Sequence, residues 1–251
     1  MTRRRFIADT WTPTTATLTG DQAAHLARVL RATPGQVYDI VANGFLHRAE
    51  ITEVRSGSNE ADHQVLFTLH EELESGAALP LHLLLAVFKF DHMEWAIEKA
   101  SELGIARITP ILARRTEKHL AQAALKRAER WRRIALEASK QSRRTGVPEI
   151  ANPTALKQSL AEEKSPTRIL LSETEQATTL TAALETSLRA TASEAVSQNV
   201  ALAIGPEGGW TPEEMSLFTQ HQWQPVTLGP RSLRAETAAI AAIAIASTHL
   251  A

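Results

Sequence analysis

The sequence contains no cysteine, which excludes disulfide scaffolds and Cys-ligated zinc. Aromatic residues are scarce, with six Phe, five Trp and one Tyr. Any grip on nucleic acid must then rest mainly on phosphate contacts rather than on stacked bases. No apolar run is long enough to cross a bilayer: the longest, Ala238 to Ser247, lies between Glu236 and His249. Met1 to Phe6 leads into no secretory-type apolar segment, and a soluble cytoplasmic protein is the expectation. The histidines have no metal-box spacing; His119 and His221, for instance, have no ligand-type partner three or four positions away, so no metal site is expected. No Gly-x-Ser-x-Gly elbow, Gly-Lys-Ser/Thr phosphate loop or G-x-G-x-x-G fingerprint occurs either.

Net charge is also nearly absent: 27 Lys+Arg stand against 28 Asp+Glu. Taken whole, this argues against a globally basic nucleic-acid binder. The total is a cancellation of blocks, however. Arg114 to Arg144 holds eleven Lys/Arg and three Glu, whereas Thr52 to Ser75 holds six acids and one base. Binding follows local fields, so the basic block keeps an anionic partner in view. Its few acids leave few ion-pair partners along the helix itself; a solvated helix face is the plainer alternative.

What is present is ample apolar material, 43% of 251 residues, enough for one large or two smaller domains. The first part reads as a small β-rich unit. A helical stretch, Gln22 to Arg31, stops before Pro34-Gly35. Strands are expected at Gln36 to Val41, Phe45 to Val54 and Gln64 to Leu69, with Asn43-Gly44 as a hairpin turn. A small barrel is the natural architecture. Beyond Gly76 to Pro80 the rhythm changes. Leu81 to Val87 is apolar throughout, as a strand buried on both faces should be. A helix from His92 to Leu103 ends at Gly104, Ile108 to Leu112 is a strand, and Leu120 to Arg144 is one long or broken helix. Arg168 to Leu171, Val200 to Ile204 and Val226 to Leu228 are further strands, separated by helical patterns; Ser193 to Asn199 reads as a loop. Strands alternating with helices predict α/β with a mostly parallel sheet. The boundary falls near 72–80.

The sharpest local feature is the strand end Ala201 to Ile204, followed by Gly205-Pro206-Glu207-Gly208-Gly209-Trp210 and then Thr211-Pro212-Glu213-Glu214. Thr211 can cap a helix with Pro212 at its first position and Glu214 at its third, a capping box. Glycines let a backbone approach a ligand, and strand C-termini are where α/β sheets bind them; a plain strand-to-helix turn has the same pattern. If Gly208 has positive φ, a β-branched residue in its place should impair ligand binding. A second strand end, Leu228-Gly229-Pro230, precedes Arg231 to Ala238. There Arg234 and Glu236 are placed for a local ion pair, and the helix Ala235 to Leu250 is apolar on nearly every face, hence buried in the domain or against a partner.

Several motifs in order carry a resemblance: Arg4-Arg5-Phe6, His25 with Val29-Leu30-Arg31, Lys89, Glu98 to Gly104, Thr109-Pro110, Arg130-Trp131, Glu137 to Ser142, Arg144 with Pro148-Glu149-Ile150, Ile204 to Gly209, and Leu228 to Ala238. Together they resemble the bacterial family that methylates N3 of a uridine in 16S ribosomal RNA, of the SPOUT class of S-adenosylmethionine methyltransferases. The resemblance spans nearly the whole chain. It implies a PUA-like RNA-binding β-barrel over 1–75. Residues 76–251 would form a SPOUT-type α/β domain with a trefoil knot, an S-adenosylmethionine pocket and a homodimer interface. The family's cofactor segments fall on Leu171-Ser172-Glu173, on Ile204-Gly205-Pro206 with Gly208-Gly209, and on Leu228-Gly229 with Ser232-Leu233-Arg234. The reaction implied, methyl transfer to uracil N3, requires loss of the imide proton. Arg144 and Arg234 are candidates to stabilise the resulting charge, and Glu207 is a candidate to accept the proton or to order its loop. RNA would be held by Arg3, Arg4, Arg5, His25, Arg28 and Arg31, and along Arg114, Arg115, Lys118 and Arg133. A relative acting on another RNA, such as tRNA, and a non-catalytic RNA-binding ribosome-assembly protein are the alternatives.

Overall fold

The computed structural model describes residues 5–57, 59, 62–73, 78–142, 144–193 and 198–250. Arg3 and Arg4, and most of the loop expected at Ser193 to Asn199, lie outside them. By its internal packing the chain falls into two units, residues 1–77 with 139–146 and residues 78–138 with 147–251.

The first unit is built on a curled sheet of six strands: β1 (Arg5–Ile7), β2 (Thr10–Trp11), β3 (Thr15–Thr19), β4 (Val37–Ala42), β5 (Phe45–Arg55) and β6 (Gln64–Leu73), in the order β1-β4-β5-β6-β3-β2. The two edge strands, β1 and β2, are consecutive pieces of one N-terminal stretch. Its first half pairs with β4 and its second half with β3. Asp9, at the joint, accepts hydrogen bonds from the Thr19 backbone N–H at 2.8 Å and hydroxyl at 3.1 Å. Leu18, Leu26, Ile40, Ile51, Val65 and Phe67 fill the inside, where Tyr38 meets Phe6 and Phe67 edge-on. Asn43 and Gly44 both have positive φ, 51° and 81°, the conformation a two-residue type I′ hairpin turn requires.

The helix expected at Gln22 to Arg31 is different in kind. It is a short α-helix, α1 (Gly20–Ala24), continued by a π-turn over His25–Val29; Leu30 N–H reaches back to the His25 carbonyl at 3.1 Å. The wider turn keeps Leu26 in the core while His25, Arg28 and Val29 are exposed. Arg31, at φ 49°, ends it with a left-handed residue that reverses the chain before Pro34.

The second unit is mixed α/β around an all-parallel sheet. Its strands are β7 (Leu79–Ala86), β8 (Ile105–Leu112), β9 (Glu149–Ile150), β10 (Thr154–Ala155), β11 (Thr167–Leu171), β12 (Val200–Ile204) and β13 (Gln224–Val226), in the order β10-β8-β7-β12-β11-β13 with β9 also on β8. The helices are α2 (Phe90–Glu102), α3 (Lys118–Gln141), α4 (Leu156–Glu162), α5 (Leu180–Ser193), α6 (Pro212–Gln220) and α7 (Ala235–Leu250). Leu83, Leu85, Leu202, Ile204 and Ile169 point to one face, packed with α2, α3, α5 and α7. Leu84, Ala201, Ala203 and Leu170 point to the other, packed with α4, α6 and Trp223. The period of two, with both faces covered, is why these strands read as unbroken apolar runs.

On α3, Leu120, Ala124, Ala128, Trp131 and Ala135 make one buried stripe at helical spacing. The helix ends at Gln141, short of the expected Arg144. With few acids along the helix itself, its arginines find partners on other elements. Glu94 on α2 lies 2.8 Å from Arg130 Nε and 3.6 Å from Arg127 Nε. Arg127 also sits 4.9 Å over the Phe90 ring, and Arg132 donates to the Ile150 carbonyl and to Asn152.

Candidate functional site

Because the second sheet is parallel, its strand C-termini share one edge, and the glycine-rich turns all leave from it. β12 lies between β7 and β11, with Ile204 opposite Leu85 and Ala203 opposite Leu170; Leu171 of β11 is opposite Val226 of β13. The segments after β11, β12 and β13 are thereby brought side by side, and Ser172 N–H bonds the Val226 carbonyl at 3.0 Å. From β7 the chain moves outward through β8 to β10, whereas its later strands occupy the other side. The order thus reverses between β7 and β12, where open α/β sheets leave a crevice beyond their strand ends.

The loop after β12 is a tight turn: Gly209 N–H bonds the Pro206 carbonyl at 2.8 Å. Gly209 is left-handed at φ 69°, and Gly208 is not among the left-handed glycines, so the condition set for Gly208 is not met. The positive φ falls one residue later because the turn closes there. A Cβ on Gly205 would lie 3.1 Å from Trp210 Nε1, and that indole nitrogen is buried without a hydrogen-bond partner in the structure. Gly229, in the loop after β13, has φ 113° with open space where a Cβ would point; Thr227 Oγ1 accepts its N–H at 3.1 Å.

The capping box forms as expected. Thr211 Oγ1 accepts from Glu214 N–H, and Glu214 Oε2 accepts from Thr211 N–H at 2.9 Å. Glu214 is buried, and its other oxygen accepts the Arg114 backbone N–H at 2.8 Å. Arg115 donates from Nη1 to the Gly208 carbonyl, and Thr116 Oγ1 donates to the Val87 carbonyl at 3.0 Å. The segment after β8, expected to touch RNA through Arg114 and Arg115, is thus stitched to the glycine-rich loop and to the end of β7. Lys89, following β7, brings Nζ to 3.9 Å from Glu207 Oε2. Lys89 was named in the sequence only among the family motifs, and neither it nor these links was given a role in the site.

The remaining predicted residues are distributed as follows. Leu171, Ser172, Leu228, Gly229 and Leu233 are half-buried, and Glu173, Ser232 and Arg234 are exposed. The ion pair expected between Arg234 and Glu236 does not form: Glu236 is buried at the start of α7, with His92 Nδ1 3.4 Å away. Arg144 belongs to the segment grouped with the first unit and is half-buried; burial holds its guanidinium below its usual pKa. His25, Arg28 and Arg31 share the π-turn region of the first unit and are exposed, as are Lys118 and Arg133 on α3.

The glycine turns, the buried indole and the open face at Gly229 bring backbone groups to the carboxyl edge, the edge where α/β folds meet small ligands. Residues 75–247 match the RNA methyltransferase domain family. The chain is 35% identical to the ribosomal RNA small subunit methyltransferase E of Synechocystis sp. over 92% of its own length and 72% of that protein's. It superposes with a TM-score of 0.74 on a solved ribosomal RNA small subunit methyltransferase E from Neisseria gonorrhoeae bound to S-adenosyl methionine, at 27% identity, covering 97% of this chain and 96% of that one. A methyltransferase from Legionella pneumophila in complex with S-adenosylmethionine gives 0.74 at 29% identity, covering 99% and 98%. The protein belongs to the RNA methyltransferase family, in its ribosomal RNA small subunit methyltransferase E branch.

Proposed function

We propose that the protein is an S-adenosylmethionine-dependent methyltransferase that modifies N3 of a uridine in the 16S RNA of the small ribosomal subunit. The observation that carries the reading is the convergence of three strand-end loops on the carboxyl edge, with left-handed glycines at 209 and 229, in a chain of this family. Relatives named for small-subunit ribosomal RNA favour that substrate over tRNA, and their bound cofactor speaks against a non-catalytic role.

The residues present fit the cofactor. Backbone groups of Leu171, Ser172 and Glu173, of Ile204, Gly205, Pro206, Gly208 and Gly209, and of Leu228, Gly229, Ser232, Leu233 and Arg234 would hold it, and Trp210 Nε1 is a buried donor awaiting an acceptor. The bound cofactor supplies an electrophilic methyl, so the protein's part is to orient the uracil and to manage the N3 proton. Glu207 is the proposed acceptor, and Arg144 and Arg234 are the proposed cations for the charge that develops. N3 lies on the Watson–Crick edge, so the uridine must be unpaired or extruded.

The curled sheet is proposed as the PUA-like RNA-binding barrel, over 1–75, with Arg3, Arg4, Arg5, His25, Arg28 and Arg31 on phosphate. Arg114, Arg115, Lys118 and Arg133 extend the contact on the methyltransferase domain, 76–251. A trefoil knot is proposed for this domain, in which the chain after β13 returns from the sheet's far edge so that α7 packs on α2, β7 and β12. Thr237, Ile240, Ala241, Ala244 and Thr248 form a stripe of small and apolar residues on α7 that is not fully buried, and this stripe is the proposed core of a homodimer interface.

Calorimetry with S-adenosylmethionine, followed by methylation of small subunits and mapping of the product, tests the reading. Saturable binding and N3-methyluridine are expected; a methyl on ribose oxygen would refute the N3 assignment.

A further inference from the structure

Lys89 occupies the reversal point of the sheet. It lies three positions beyond the last residue of β7, and Glu207 lies three beyond the last of β12, the strand hydrogen-bonded to it. At 3.9 Å the Lys89–Glu207 pair is an ion pair rather than a hydrogen bond, so the ammonium's three donors remain available to another acceptor. Its side chain is 58% exposed and that of Glu207 is 42% exposed, so both are open to solvent at the carboxyl edge of the sheet. Lys89 is also the N-cap residue of α2, and its ammonium, which carries donors only, cannot accept the first-turn N–H groups. The first-turn N–H groups of that thirteen-residue helix and the positive end of its dipole therefore reinforce the ammonium at the same place. The Thr116–Val87 bond pins the segment leading to it. By contrast, Arg115 is engaged with the Gly208 carbonyl.

We infer that Lys89 is a further substrate-contacting cation of the reaction, donating to a uracil carbonyl oxygen and stabilising the negative charge that builds there as N3 loses its proton. The inference rests on the methyltransferase reading above. In the balanced step, the N3 proton passes to the Glu207 carboxylate and is later released to water. The N3 lone pair forms the new N–CH3 bond as the C–S bond breaks, its electron pair returning to sulfur. The Lys89 ammonium keeps its protons throughout and lowers the energy of the base anion.

The test measures single-turnover methylation of reconstituted small subunits at saturating enzyme and cofactor, for wild type, Lys89→Gln and Lys89→Arg. Cofactor affinity is followed by calorimetry and subunit affinity by filter binding. Lys89→Gln should lower the rate about 100-fold while both affinities stay within about threefold, and Lys89→Arg should recover most of the loss. Subunits whose RNA carries 5-fluorouridine, with a more acidic N3, should narrow the Lys89→Gln deficit to about tenfold or less, because the base anion then needs less help. A rate near wild type, a loss confined to subunit affinity (a phosphate contact), or a deficit indifferent to fluorination would each overturn the assignment. If wild type binds cofactor yet leaves N3 unmodified, the failure is instead that of the proposed reaction.

Discussion

The buried carboxylate of Glu214 ties the first turn of α6 to a loop residue 100 positions away, accepting the Arg114 N–H at 2.8 Å while its other oxygen caps α6 through Thr211. Its removal leaves two backbone donors without their acceptor. Glu214→Ala is therefore expected to destabilise the protein by about 2–4 kcal/mol, the sum of a lost cap and an unsatisfied buried N–H. Thermal or urea unfolding measures this, and calorimetry should show weakened S-adenosylmethionine binding as the glycine-rich loop loosens.

Gly209 and Gly208 separate conformation from space. A side chain at Gly209 must adopt φ 69°, which costs roughly 1–2 kcal/mol and disfavours β-branched residues most. At Gly208 a Cβ meets only the flexible Arg115 side chain, at 3.3 Å. Gly209→Val should reduce cofactor affinity by about tenfold or more, and Gly208→Ala by less. Equal effects in calorimetry would remove any role for the left-handed turn in holding the cofactor.

Glu163 governs part of the acid stability. It pays a burial penalty, but the His82 ring and the Ser165 N–H and hydroxyl hold its carboxyl down at about 2; His82 in turn reaches Thr109 Oγ1 at 2.8 Å. A carboxyl depressed in the folded state stabilises above its unfolded pKa and loses that contribution as pH falls toward its folded pKa. Unfolding free energy should therefore decline between about pH 4.5 and about pH 2. Glu163→Gln should lower stability at neutral pH and flatten the decline in urea titrations across that window.

RNA affinity should fall steeply with salt, since several phosphates are expected to be neutralised. Replacing Arg28 and Arg31 by alanine should weaken binding across RNA sequences alike. It should also reduce the slope of log affinity against log salt by about one for each phosphate left without its arginine. Filter binding at graded salt measures both; an unchanged slope would show that the π-turn does not touch phosphate.

Local chemistry was the legible part of this fold. Thr211 to Glu214, Asn43-Gly44 and the apolar strands could be read because each is specified by residues within one or two turns of one another. The two- and three-residue strands β1, β2, β9 and β10 exist only through their pairing partners and carry no pattern of their own. The π-turn at His25–Val29 is set by the need to bury Leu26, which a helical period cannot distinguish from an α-helix. At the site, the glycine turns could be read but their supports could not. Arg115 with Gly208 and Lys89 with Glu207 depend on which strands are neighbours, and that order interleaves distant parts of the chain. One partner of the basic block was hidden for the same reason: Glu94 lies on another helix, 36 positions from Arg130.

Methylation of a uracil N3 in small-subunit RNA is checked by mass mapping of methyl groups on 16S RNA from cells with and without this protein. One N3-methyluridine is expected to vanish when the protein is absent and to return with the wild-type chain but not with a variant that cannot bind cofactor. An unchanged map, or loss of a ribose methyl instead, would contradict it.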